Sequence, residues 1–183
     1  QNDLIVPSTS PAGAPVAFSP VVTDSDSGLP ATLNAFCTIP TEVEDGDSGV
    51  LFKTVVISGH VFPMGITTVT CTAADTGGNL ATKSFTVTVT DAIPPAVVLS
   101  TTALSPTKDS LIPVTATFTK PVTDFLPADI VVGNGSVTDF SGSGAIYTFN
   151  VVPAADGIVT INIPAGVAQD SALNFNTVAT QLS

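Results

Sequence analysis

Hydrophobic and polar positions alternate with a period of two over much of this 183-residue chain. Between Phe62 and Asp91, Val69, Cys71 and Ala73 alternate with Thr68, Thr70 and Thr72, and Phe85, Val87 and Val89 alternate with Thr86, Thr88 and Thr90. Alternation of this kind among β-branched residues predicts half-buried strands. Residues 75–79, DTGGN, join the two runs with turn chemistry, since glycine takes positive φ and Asp and Asn bond their own backbone. The same reading predicts strands near 4–6, 15–22, 32–38, 50–57, 67–74 and 82–90 in the N-terminal half. In the C-terminal half it predicts strands near 96–100, 111–119, 129–132, 136–140, 145–152, 158–163 and 176–182. There Val114, Ala116 and Phe118 share one face, as do Tyr147, Phe149 and Val151, and Val159, Ile161 and Ile163. No stretch keeps a 3.6-residue period beyond two turns.

The strongest strand is followed by Asp91-Ala92-Ile93-Pro94-Pro95. Two adjacent prolines stop strand pairing and stiffen the chain, so a domain boundary is expected there. The halves, 1–91 and 92–183, each have the usual size of an immunoglobulin-like sandwich. The fold class expected is therefore all-β, with two tandem immunoglobulin-like β-sandwiches.

Composition agrees: 27 Thr, 24 Val, 14 Gly and 15 Pro favour strands and turns. Charged residues are 10% of the chain, against a usual ~25%, which explains a mean hydropathy of +0.50 without a membrane span. No apolar run approaches the ~20 residues of a transmembrane helix, so no membrane insertion is expected. Fifteen acids oppose four lysines, a net charge of -11, and no phosphate-neutralising patch can form, so nucleic acid is not an expected partner. The chain begins at Gln1 with neither an initiator Met nor a signal peptide, which points to a removed leader or a fragment. Low charge, abundant Thr and two cysteines, Cys37 and Cys71, suit a secreted protein. In an oxidising compartment they would form one bridge, and in the cytosol two thiols.

The run FPMGITTVTCTAADTGGNLATKSFTVTVTD closely resembles the C-terminal half of a hyalin repeat (HYR) domain, and APVAFSPVVTDSDSG resembles its start. Residues 42–57, EVEDGDSGVLFKTVVI, make the stretch between the cysteines longer than such repeats usually have, and predict an added hairpin. The second half, in VTATFTKPVTDFLPADIVVGNGSV and IYTFNVVPAADGIVTINIPAGVAQDSALNFNT, resembles a bacterial Ig-like domain. It departs from that pattern at Lys120, where an acid is common, and at Leu173, where Gly is common. The resemblance to hyalin repeats implies that Cys37 and Cys71 pair, here across the N-terminal sandwich. Both resemblances imply extracellular or cell-surface modules.

No catalytic constellation is expected. His60 is the only histidine, no GxSxG elbow occurs, and no CxxC spacing exists. Calcium is the one cofactor the acids suggest, because Ca²⁺ takes carboxylate, amide and carbonyl oxygens from loops. The candidate ligands are Asp24, Asp26, Asp75, Asn79, Asp91, Asp170 and Asn174, against the plainer reading that Asp and Asn favour turns. Asn134-Gly135-Ser136 reads as a hairpin turn rather than a glycosylation site. Leu4, Ile5 and Val6 form a short strand ahead of a Pro- and Ser-rich spacer, and are the candidate assembly strand for a neighbouring molecule. The function these signs suggest is a non-enzymatic structural or adhesive module of a secreted or surface-anchored bacterial protein. The alternative is a self-assembling subunit of a filament, sheath or surface layer. Expected partners are neighbouring domains, copies of the same protein, or a surface ligand.

Overall fold

The computed structural model describes residues 1–22, 35–41, 52–74 and 78–183, and divides into two compact units, Gln1–Ile93 and Pro94–Ser183. The first unit contains β1 (Leu4–Pro7), β2 (Ala14–Val16), β3 (Phe36–Thr41), β4 (Phe52–Val56), β5 (His60–Phe62), β6 (Gly65–Ala74) and β7 (Leu80–Thr90). Five of these form one sheet in the order β1-β7-β6-β3-β4, and β2 and β5 form an antiparallel pair. The two threonine-rich runs are β6 and β7, paired antiparallel from Gly65↔Val89 to Ala74↔Leu80. Val69, Phe85, Val87 and Val89 are buried, and Thr68, Thr70, Thr86 and Thr88 lie on the other face. That face suits threonine, whose methyl packs on the pleat while its hydroxyl stays wet.

The β2–β5 pair supplies Ala14, Val16 and Phe62 to the same core. Phe18 follows β2, its ring 5.6 Å from Phe85 and 6.3 Å from Phe62. The strand expected over 15–22 is therefore only Ala14–Val16. Beyond it the N–H of Phe18 bonds the Ser58 hydroxyl rather than a neighbouring strand, and Pro20 has no N–H to offer. His60–Phe62 is a strand because β2 lies beside it in register. Gly13, at φ 117°, turns the chain into β2 with its α-carbon against the Phe62 carbonyl, where a β-carbon would collide.

The second unit contains β8 (Val97–Thr101), β9 (Ile112–Val122), β10 (Val131–Gly133), β11 (Gly135–Pro153) and β12 (Thr160–Asn162). One sheet has the order β11-β9-β8, and β10 pairs with β12. β11 doubles back at Gly142 (φ 121°) and Gly144 (φ 66°), with residue 135 against Val151 and Val152 and residue 142 against Ile146 and Tyr147. Its two arms are the strands expected over 136–140 and 145–152. The 176–182 segment is not one continuous strand, because its backbone partners come from different elements. Thr177 donates to Pro95, Ala179 to Ile163, and Leu182 and Ile161 exchange both bonds.

Val114, Ala116 and Phe118 of β9 and Tyr147, Phe149 and Val151 of β11 are buried together with Ile161 and Ile163; Val159 is half-buried. Tyr147 stands among Phe118, Phe125 and Phe140 at 5.1–5.9 Å. Each such ring pair adds about 0.5–1.5 kcal/mol beyond area burial. The Tyr147 hydroxyl donates to the Val122 carbonyl at 3.2 Å, and burial, with the Asp124 charge behind it, pushes the phenol pKa up. Asn134 (φ 58°) forms the turn between β10 and β11, and its amide donates to the Ala155 carbonyl. No α-helix occurs among the described residues.

Candidate functional site

Among the described residues β3 meets β6 over three positions, Phe36↔Thr72, Cys37↔Cys71 and Thr38↔Thr70. The middle pair is a disulfide, with Cα atoms 4.0 Å apart, and neither cysteine is free. Against the expectation that it spans the sandwich, the bridge does not cross from one sheet to the other. It stitches neighbouring strands of one sheet, because the register sets the two residues directly opposite each other. Cys37 is buried, at 3% exposure, and Cys71 is half-buried.

A cleft of about 210 Å³ opens beside Cys71, lined among others by Pro20, Val21, Thr82, Lys83 and Phe85. In the β6–β7 register Lys83 stands opposite Cys71, on the side away from Cys37. Strand parity sets Lys83 on the same face as Phe85 and Val87. Period-two alternation carried that signal in the sequence, where a lysine interrupts the inward series.

Of the calcium candidates, only Asp170 and Asn174 are brought together among the described residues. Asp24, Asp26 and Asp75 lie outside the described residues. Asn79 sits just before β7, and Asp91 closes a local turn by accepting the Ile93 N–H at 3.0 Å. Among the described residues no group of three His, Cys, Asp or Glu side chains could hold a metal ion.

Asp170 and Asn174 do come together, but around a different cation. Asp170 Oδ1 accepts the N–H groups of Ala172 at 2.9 Å and Asn174 at 3.0 Å, and the Asn174 amide donates to both carboxylate oxygens. Lys120 Nζ donates to Oδ2 at 3.1 Å. The carboxylate is 3% exposed. Burial alone would raise its pKa; the backbone and amide donors of Asn174, the Lys120 ammonium and the Ala172 N–H outweigh that and hold it below the ordinary carboxylate range. An ammonium thus supplies the positive charge that a metal would supply to this loop, which is the structural meaning of a lysine where an acid is common. Leu173 takes φ 66° in the same turn, the conformation for which glycine is the usual residue.

Leu4, Ile5 and Val6 lie in their own sheet, where β1 stands first in the strand order. β1 runs parallel to β7, from Leu4↔Val87 to Pro7↔Thr90, with Leu4 and Val6 against the core and Ile5 exposed. Asp3 secures the strand by accepting the Thr86 N–H at 2.7 Å, a bond that lowers its pKa. His60 packs edge-on against Phe62 at 4.9 Å and 83°.

A family model for the bacterial Ig-like domain matches residues 91–183, and one for the HYR domain matches residues 30–89. Hyalin from Lytechinus variegatus is 40% identical over 67 residues, which are 36% of this chain and 13% of hyalin. The D00-D0 domain of Intimin aligns over 99% of this chain and 95% of its own, at 14% identity and a TM-score of 0.36. SGBP-B of the Bacteroides ovatus mixed-linkage glucan utilization locus, solved with a mixed-linkage heptasaccharide, aligns over 100% of this chain and 43% of its own, at 15% identity and a TM-score of 0.31.

Proposed function

This chain belongs to the bacterial Ig-like domain family, and from that membership we propose that it works as a non-enzymatic structural or adhesive module of an extracellular or surface-exposed bacterial protein. The observation that carries the reading is the pair of self-contained units, each with its own buried core and its own internal fastening. The functional groups of the described residues support the same reading. Asp3, Asp91 and Asp170 bond backbone N–H groups, and His60 packs on a ring. In this reading the chain's partners are neighbouring domains, further copies or a surface ligand, and the outward-facing sheet surfaces meet them.

Stretching the full chain in a single-molecule force experiment tests the mechanical side of this proposal. Two unfolding events are expected. The bridge spans 34 residues, so about 120 Å of chain stays locked in the first unit until a reductant releases it. A single event at all loads, or turnover of ester, glycoside or peptide substrates by the purified chain, would overturn the reading. The separate fragment 92–183 is expected to give a dispersed amide spectrum, because its core draws on no residue before Pro94. Polymers that grow with concentration would favour the assembly alternative, with β1 drawn out of its own sheet.

A further inference from the structure

Thiol–disulfide exchange proceeds through a mixed disulfide, with the incoming thiolate in line with the sulfur–sulfur bond that breaks. The sheet order makes the two ends of the Cys37–Cys71 bond unequal. In-line approach to Cys37 passes over β4, at its register partner Val56, which is 3% exposed and part of the core. In-line approach to Cys71 passes over β7, at its register partner Lys83, where the cleft opens. The Lys83 ammonium draws an anionic thiolate toward that side and favours the negative charge spread over the sulfurs during exchange.

We propose that the Cys37–Cys71 bridge is a thiol-exchange site of fixed direction, in which a small thiolate enters the cleft beside Lys83, attacks Cys71 and expels Cys37. In the first step a new sulfur–sulfur bond joins the incoming sulfur to Cys71, the old bond breaks, and Cys37 leaves as a thiolate. In the second step another small thiolate attacks the incoming sulfur and releases the Cys71 thiolate. Two small thiols are thereby oxidised to their disulfide while the bridge gains two electrons. The consequence is local, because among the described residues β3 is then held to β6 by the backbone pairing of Phe36–Thr38 and by the Thr38 hydroxyl on the Thr70 carbonyl. A surface module built this way has one sheet segment that a thiol-rich medium loosens and an oxidising medium fastens.

The test treats the native full chain with 2-mercaptoethanesulfonate at neutral pH without denaturant. Freed thiols are then alkylated with iodoacetamide and the peptides mapped by mass. The thiol adduct is expected on Cys71 and the alkyl group on Cys37. Lys83→Glu is expected to slow the exchange roughly fivefold, with Lys83→Gln intermediate. Cysteamine, whose own ammonium offsets its thiolate, is expected to show a smaller difference. An adduct on Cys37, or on both cysteines equally, overturns the proposal. So do an exchange rate indifferent to Lys83→Glu and an exchange that begins only where the first unit unfolds. Unchanged melting temperatures of the two Lys83 variants keep the rate comparison free of folding effects.

Discussion

In the first unit β3 is fastened to β6 by a covalent bond at one register position, whereas in the second unit the C-terminal segment is fastened to β9 by an ammonium–carboxylate pair. The surroundings differ accordingly. The disulfide lies in a sheet whose other face is a run of threonines, and the bond restrains the unfolded chain as much as it holds the folded one. Asp170 lies 3% exposed at the end of β9, and every donor around it acts only in the folded state. The comparison teaches that two sandwiches of one size can be fastened by chemistries that answer to different conditions, one to reductant and the other to acid.

The largest expected effect comes from breaking the covalent fastening. Replacing both Cys37 and Cys71 by serine should destabilise the first unit by up to about 4 kcal/mol, the chain-entropy value for a loop of this length. Differential calorimetry should show its transition fall while that of the second unit holds. Asp170→Ala should do the reverse. It removes a buried, charged acceptor of several hydrogen bonds and should cost the second unit about 3 kcal/mol. Lys120→Met should cost less, about 1–2 kcal/mol, because the carboxylate keeps its backbone donors.

Acid acts on both units by the same logic, through the exposed Asp3 in the first and the buried Asp170 in the second. The Asp170 pKa is lower folded than unfolded, so its contribution is complete above the ordinary carboxylate pKa and is lost as pH falls through the folded value. Thermal melts from neutral pH down through the carboxylate range should therefore show an acid-dependent fall of the second unit, and Asp170→Ala should remove most of it. The smallest effect is a gain. Leu173 is 71% exposed and stands at φ 66°, so Leu173→Gly should relieve backbone strain at little packing cost. It should stabilise the second unit by about 1 kcal/mol, read as a rise in its melting temperature. An unchanged or lower value would show that the Leu173 side chain packs more than its exposure suggests.

Much of this was legible in the residues. The alternation around Val69, Phe85 and Val87, and that of Val114, Phe118, Tyr147 and Phe149, placed core and outward faces correctly, because a strand's side chains alternate whatever its neighbours are. Lys120 and Leu173 were visible as departures from a family pattern, and both have a physical counterpart: the ammonium on Asp170 and a residue at positive φ. Less was legible where a long-range partner decides the outcome. β5 needed β2 beside it, and 176–182 found its backbone partners in Pro95, Ile161 and Ile163. Asp91 and Asp170 looked alike as calcium ligands, yet the first closes a two-residue turn and the second answers a lysine 50 residues away.

The sequence by itself determined the fold class and the two-part organisation, since strand period and proline placement are local properties of the chain, while the pairing of the two cysteines was implied by the family resemblance. Only the tertiary structure decided that the bridge lies within one sheet rather than between two, that Lys83 stands on the open side of Cys71, and that Asp170 is answered by Lys120. Each of these is a matter of register between segments far apart in the chain. Register is fixed by how two strands share a core, and one residue of slip would have turned Cys71, Lys83 and Phe85 to the opposite face.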